Sequence, residues 1–247
     1  MNREGRIELK ALLDNRFAPI TFRFGFVECP FHRFADAFAS WQKELDVKFG
    51  TTTEMAHFSA PLSAALLRLD PLTTPLDRYL LVETQSEWTA IFSNGLRVND
   101  VFSPVSYLAK VLGCRGLEIS CTPDRSAVPR KDIVRPYGAT TFSLYGPQKT
   151  DWLNGIRRIS AYNEGDHWVF EAEGEIQPYE KAENYQKRKI VDRFTPELLE
   201  AYCRALGIDP FEEEFYRSSC LLARTTKRAS PPGPAMSITE ARSHLYI

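Results

Sequence analysis

The chain has 247 residues and a formal net charge of -1, with 43% hydrophobic and 26% charged residues. This composition is ordinary for a folded protein, so we expect a sizeable hydrophobic core rather than wholesale disorder. A near-neutral chain has no overall field that draws it to nucleic acid or to a membrane surface, and we expect neither as a partner. The sequence also lacks the roughly eighteen consecutive apolar residues that a membrane-spanning helix needs.

The N-terminal segment and the cysteines indicate a cytoplasmic protein. The first sixteen residues are charged throughout and lack the apolar centre of a secretory signal. The cysteines are odd in number, widely spaced and without a CxxC pair, which is typical of reduced, buried thiols. They are Cys29, Cys114, Cys121, Cys203 and Cys220. The four histidines show no metal-ligand spacing, so we expect no metal site and no cofactor.

Periodicity in the first half predicts alternating strands and helices. Apolar residues alternate with polar or small ones over 20–28, and they recur every three or four residues in the helix from Phe31, whereas β-rich runs and turn residues mark the strands over 78–83 and 88–93. The predicted elements are a strand over 20–28, a helix from Phe31, a Thr-rich loop over 49–60, a helix after Pro61, strands over 78–83 and 88–93, a helix with Ser103 as N-cap and Gly113 as C-cap, and a strand over 117–121.

The second half repeats this order. Its predicted elements are a strand over 140–145, a hairpin of strands over 157–162 and 168–174, a helix started by Thr195-Pro196 and ended by Leu206-Gly207, and a last helix or strand within 211–223. Two interpretations stay open. The halves are either a duplication of one unit or two unrelated segments whose helices begin with Ser/Thr-Pro and end with Leu-Gly, as many helices do. The second explanation is the more frequent one.

These elements predict an α+β fold in which antiparallel hairpins are covered on one face by helices. We divide the chain into an N-terminal α+β half (1–121), a loop or linker (122–137), a C-terminal α+β half (138–224) and a flexible tail (225–247). The predicted core consists of Phe24, Phe26, Phe38, Trp41, Leu66, Leu80, Val82, Trp88, Ile91, Leu108, Leu112, Leu117, Ile119, Phe142, Trp168, Phe170, Leu198, Tyr202 and Leu206.

The sequence contains no linear motif for catalysis or nucleotide binding. A phosphate-binding loop, a dinucleotide-binding glycine fingerprint, a GxSxG elbow and an HExxH helix are each missing. Lys187, Arg188, Lys189 and Arg193 form a short basic cluster, but acids precede it, so a solvated face is the favoured interpretation. No catalytic residue is therefore assigned.

Acidic residues crowd into two segments and are the best candidates for a binding surface. They are Glu164, Asp166, Glu171, Glu173, Glu175, Glu180, Glu212, Glu213 and Glu214. On a strand, Glu171, Glu173 and Glu175 would share one face. Three interpretations are open: a half-buried strand with its glutamates in water, which is the commonest case; a carboxylate row that holds a divalent cation; or a surface for a basic protein.

Several segments of the chain resemble bacterial immunity proteins. They are the run RYLLVETQSEWTAIFSNGL, the capped helix and the strand that follow it, and the later run GEIQPYEKAENYQKRKIVDRFTPELLEAYCRALGI. Such proteins accompany polymorphic or contact-delivered toxins, including type VI secretion effectors. The resemblance covers about residues 78–216 and consists of a Trp-bearing hairpin, many aromatic residues and no active site. It transfers no functional residue.

The resemblance implies a non-enzymatic protein that inhibits a cognate toxin by direct binding. A basic toxin such as a nuclease would fit the acidic segments. One alternative is a metal-dependent hydrolase or nuclease whose site uses Glu171, Glu173 or Glu180, because scattered sites leave no linear motif. Another is a scaffold or regulatory subunit that docks through the C-terminal tail.

Overall fold

The computed structural model describes residues 10–96, 100–124, 137–150, 153–227 and 234–245. The α-helices are α1 (Phe31–Phe49), α2 (Leu62–Leu66), α3 (Phe102–Leu112), α4 (Pro196–Ala205) and α5 (Ile238–Leu245). The strands are β1 (Arg23–Val27), β2 (Thr51–Ser59), β3 (Leu72–Thr73), β4 (Arg78–Thr84), β5 (Thr89–Ser93), β6 (Gly116–Thr122), β7 (Ala139–Tyr145), β8 (Gly155–Asn163), β9 (Trp168–Gly174), β10 (Tyr216–Lys227) and β11 (Ala235–Met236). The α+β class is confirmed.

Nine of the strands form one antiparallel sheet in the order β2-β10-β4-β5-β1-β6-β7-β8-β9. β10, from the C-terminal part of the chain, lies between β2 and β4 and pairs with both. The sheet therefore runs without a break through strands from both predicted halves. Most of the predicted linker, residues 125–136, lies outside the described residues.

Helices cover both faces of this sheet, so the prediction of one covered face is wrong. On the first face, α2, α4 and α5 pack against inward side chains such as Phe24 and Phe142. On the second face, α1 and α3 pack against side chains that include Leu81 and Ile91. Strand residues alternate between the two cores because neighbouring side chains point to opposite faces. None of the helices in the described ranges is long and apolar enough to cross a membrane.

Two glycines let α3 approach the centre of the sheet. A Cβ atom on Gly25 would lie 2.5 Å from Cγ2 of Val105, and one on Gly116 would lie 2.9 Å from Cγ1 of the same valine. Such distances are far inside van der Waals contact, so a larger side chain would push the helix outward. This close contact fixes α3 above β1 and β6 and leaves the second face of β7 and β8 beside it.

Most local predictions agree with the structure, and the exceptions have physical causes. The Thr-rich segment over 49–60 is not a loop: it contains β2, whose pairing with β10 joins residues about 170 positions apart. Ser103 lies inside α3 rather than capping it, and Asp100 accepts a hydrogen bond from the Phe102 amide at 3.1 Å. The predicted core residues are buried, except that six are half-buried: Trp41, Leu112, Trp168, Phe170, Leu198 and Leu206.

The described part of the C-terminal segment contacts the rest of the chain. Residues 225–227 continue β10, and β11 pairs with β3. Ile238 and Ala241 of α5 are buried in the first core, and the Ile238 amide donates to the carboxylate of Asp70 at 2.9 Å. The segment thus buries apolar side chains, while its flexibility stays a prediction.

We expect Gly25→Ala to lower the free energy of unfolding by about 1–3 kcal/mol, because its methyl group would overlap Val105. Val105→Ala lowers stability by itself, but it also removes the methyl groups that overlap the new one. The double variant should therefore lose less stability than the sum of the losses of the two single variants. Urea unfolding of both single variants and the double variant measures the coupling. Simple additivity of the two losses would contradict the close contact.

Candidate functional site

Two of the predicted binding residues lie in the turn between β8 and β9. The side chains of Glu164 and Asp166 are 49% and 87% exposed, and both approach His167, whose ring nitrogens lie 3.5 Å and 2.5 Å from their carboxylate oxygens. The hydrogen bond to Asp166 raises the pKa of His167, and the same contact lowers the pKa of Asp166. The turn therefore presents acidic groups to solvent with one histidine between them.

The next acidic residues belong to β9, which is an edge strand of the sheet. Glu171 and Glu173 share the second face, opposite Ser160 and Arg158 of β8. Glu171 is half-buried and accepts a hydrogen bond from Ser160 Oγ at 3.4 Å, whereas Glu173 is exposed. The prediction of a shared face is confirmed for these two residues.

Glu175 does not continue that row. β9 ends at Gly174, whose φ of 86° is left-handed, so the alternation of strand side chains stops there. Glu175 is exposed, and its amide donates to the Ile156 carbonyl at 3.2 Å. Glu175 therefore lies just beyond the C-terminal end of β9, near Glu173, and its side chain is not fixed to the second face.

Glu180 is an internal residue, which corrects its assignment to a binding surface. Its side chain is 0% exposed and forms a two-point ion pair with Arg157, with N–O distances of 2.9 Å and 2.8 Å. Tyr185 donates a further hydrogen bond to the same carboxylate at 2.7 Å, and the Gln177 amide donates one at 2.8 Å. The carboxylate thus joins the segment after β9 to the first face.

The carboxylate row required by a metal-dependent enzyme does not form. Glu171 and Glu173 lie on the second face of the sheet, whereas Glu180 is buried with Arg157 on the first face. Across the described ranges, no group of three or more His, Cys, Asp or Glu side chains could hold a metal ion. These glutamates therefore give no support to metal-assisted hydrolysis.

The second acidic segment lies far from the first. Glu212 and Glu214 are exposed and Glu213 is half-buried. The Glu214 carbonyl accepts a hydrogen bond from Gln85, in the turn between β4 and β5. Since β5 and β9 are separated by five strand spacings of about 4.8 Å each, the two acidic segments do not combine into one surface.

The structure also contains a polar cleft that the sequence interpretation missed. It has a volume of about 380 Å³ and lies on the second face, above β6, β7 and β8. Its base, here called the hydroxyl floor, consists of Ser120, Thr141, Ser143 and Ser160. Three of these are at least nine-tenths buried, and Thr141 is half-buried.

Strand register explains how the floor is built. Arg23 pairs with Ser120, Ser120 with Thr141, and Thr141 with Ser160, so four strands place these residues in one row across the sheet. Directly opposite residues in antiparallel strands lie about 4.5–5.5 Å apart. Because the hydroxyl side chains are small, the row forms a depression between larger neighbours.

One wall of the cleft is a buried ionic cluster. Glu118, with a side chain only 3% exposed, accepts a hydrogen bond from Arg23 Nε at 2.5 Å and one from the Tyr145 hydroxyl at 3.4 Å. Burial raises the pKa of Glu118 although Arg23 opposes this effect, and burial together with Glu118 raises the pKa of Tyr145. The Phe102 ring packs against the Tyr145 ring, with the two ring centroids 5.6 Å apart, and closes this side of the cleft.

A signal for the cleft was present in the sequence. Three runs alternate apolar residues with small hydroxyl or charged ones: Leu117–Cys121, Phe142–Leu144 and Arg158–Ala161. The sequence predicts a strand in each run. Only the register shows that their polar faces adjoin one another.

Comparisons of this chain with protein-family models, with curated proteins and with solved structures give no match.

Glu180→Gln should lower the free energy of unfolding by about 3–5 kcal/mol, because it leaves the buried guanidinium of Arg157 without its counter-charge. Glu173→Gln, at an exposed position of the neighbouring strand, is the matched control and should change stability by less than about 0.5 kcal/mol. Denaturant unfolding measures both. Equal small effects would contradict the buried role of Glu180.

Glu118 should make stability depend on pH. Its pKa in the folded state is raised above the usual 4.5, so its contribution to stability is complete below that value and is lost as the pH rises through the folded pKa. We therefore expect the wild type to lose stability relative to Glu118→Gln as the pH rises through 4.5 and above it.

Urea unfolding of both proteins across this range checks the sign, with the exposed Glu87→Gln as a control that should show no such trend. If the stability of the wild type instead rose relative to that of Glu118→Gln with increasing pH, the ion pair with Arg23 would outweigh the effect of burial on the pKa of Glu118.

Proposed function

We propose that this chain is a non-enzymatic binding protein of the cytoplasm, and that its partner is a bacterial toxin with a basic surface, which it inhibits by direct contact. The observation that carries this proposal is the acidic edge, defined as Glu164, Asp166, Glu171, Glu173 and Glu175. These residues gather at one edge strand and its turn, in a chain whose formal charge is only -1.

The exposure of the acidic edge supports a role in recognition. Four of its members are exposed, and Glu171 is half-buried. Charges at the rim of an interface act mainly on the rate of association and on the choice of partner. A basic toxin would therefore be drawn to this edge, and a strongly acidic protein would be repelled.

The resemblance to immunity proteins specifies the class of partner. The Trp-bearing hairpin that contributes to it is present as β4 and β5, and Trp88 donates its indole N–H to the Leu206 carbonyl at 3.0 Å. Trp88 is only 3% exposed, so it belongs to the core and not to a contact surface. The acidic edge, rather than this tryptophan, is where we place the toxin.

The two alternatives have weaker support in the geometry. A hydrolase that uses Glu180 would need a carboxylate that is enclosed by Arg157 and Tyr185. A scaffold that docks through its C-terminal segment would have to give up the contacts of Ile238 and Ala241 with the first core. Neither requirement applies to the acidic edge.

Capture of the partner tests the proposal. The tagged chain is incubated with lysate of the organism that encodes it and washed at about 50 mM and about 500 mM salt, because salt screens exposed charges. We expect one stoichiometric, basic protein that is retained less at high salt. The captured protein, expressed alone, should arrest growth, and co-expression of this chain should restore it.

A partner without toxicity, or a partner whose toxicity this chain does not relieve, would contradict the toxin inhibitor. Failure to capture any protein at either salt concentration would contradict a stable binding partner in that lysate.

The triple variant Glu171→Lys/Glu173→Lys/Glu175→Lys should slow association with the captured partner by about tenfold or more at low salt. The matched control, Glu44→Lys/Glu54→Lys/Glu87→Lys, makes the same change of net charge at exposed glutamates elsewhere. Stopped-flow or surface-capture kinetics compares the two variants. Equal effects of both would remove the acidic edge from the interface.

A further inference from the structure

The hydroxyl floor combines hydrogen-bonding capacity with little net charge. The Ser160 hydroxyl already donates to Glu171 at 3.4 Å, but a hydroxyl oxygen has two acceptor lone pairs, so all four groups can accept hydrogen bonds from a ligand. The guanidinium groups of Arg23 and Arg158 also line the cleft, together with the carboxylate of Glu118. Two rows of paired residues cross the cleft: Ser120, Thr141 and Ser160 lead to Glu171, and Glu118, Ser143 and Arg158 lead to Glu173.

This balance of charge disfavours a simple anion site. Arg23 is already paired with Glu118 at 2.5 Å, and Arg158 lies opposite Glu173 in the strand register. A site for phosphate or carboxylate would present unopposed positive charge or several converging backbone amides. A ligand whose own groups both donate and accept hydrogen bonds matches the lining better.

The volume of the cleft and the aromatic residues at its rim further restrict the class of ligand. A volume of about 380 Å³ lies at the lower end of the range for small-molecule clefts. Phe102, Tyr145 and Tyr162 supply aromatic surface around the polar base. Hydroxyls and charged planar groups beside aromatic rings suit a compact ligand with polar groups on its edges and C–H groups on its faces.

We propose that this cleft is a binding site for a small polyhydroxylated ligand of monosaccharide or disaccharide size. Ser120, Thr141, Ser143 and Ser160 exchange hydrogen bonds with the ligand hydroxyls, and Arg158 and Glu118 fix its orientation. The site adjoins the acidic edge through the hydrogen bond from Ser160 to Glu171, but its occupation does not depend on a protein partner.

Ligand binding to the intact chain is tested with glucose, mannose, N-acetylglucosamine, maltose and lactose as probes, and with inorganic phosphate as the contrasting probe. Saturation-transfer NMR detects binding, and calorimetry measures the affinity. We expect at least one saccharide to bind saturably at millimolar concentration or below, and phosphate to bind more weakly. Phosphate binding alone, or no saccharide binding up to about 50 mM, would overturn the proposal.

Substitutions at Thr141 locate the site, because this half-buried residue lies at the centre of the row. Thr141→Val keeps the volume and removes one hydroxyl, and it should weaken saccharide binding by about three- to tenfold. Thr141→Tyr places a ring in the cleft and should abolish binding. Thr52→Val and Thr52→Tyr, at an exposed position of the opposite edge strand, are the controls and should bind as the wild type does.

Melting temperatures of all four variants verify folding. If Thr141→Tyr does not fold, Thr141→Val decides the question. Saccharide affinity that is unchanged in the folded Thr141 variants would place binding elsewhere and overturn the proposal.

Discussion

The fold depends on the position of β10. This strand pairs along one side with β2 and along the other with β4, so it is the only connection in the sheet between β2 and the strands beyond it within the described residues. Its alternate side chains enter both cores: Cys220 packs on the first face and Leu221 on the second. The last of the nine strands in chain order therefore lies inside the sheet, between β2 and β4, which makes folding depend on contacts distant in sequence.

The polar cleft follows from the packing of α3. Because Gly25 and Gly116 have no side chain, Val105 can sit directly above β1 and β6. The helix then covers that part of the second face and leaves the adjoining part of β7 and β8 to polar residues. Glu118, buried at this boundary, needs both Arg23 and Tyr145 as partners. The same contact thus closes one core and shapes the cleft beside it.

Acidic residues serve two different purposes in neighbouring segments. In the turn and edge strand they are solvated and available for contact, whereas Glu180, only five positions after Glu175, is enclosed by Arg157 and Tyr185. Burial of a carboxylate is tolerated only when its charge is paired and its oxygens are hydrogen-bonded. The buried pair holds the segment after β9 against the sheet, and this support keeps the edge strand in a fixed position.

The sequence by itself determined the local elements where the chemistry is local. The strands β4 and β5, the Thr195-Pro196 start of α4 and the Gly113 C-cap of α3 were all predicted correctly. Tertiary structure decided the rest. Thr51–Ser59 became a strand through its pairing with β10, Glu180 became internal through Arg157, and the hydroxyl floor arose from the register of three strands, β6, β7 and β8. These features need residues far apart in the chain to meet, and a periodicity of two or of 3.6 residues contains no information about which strands become neighbours.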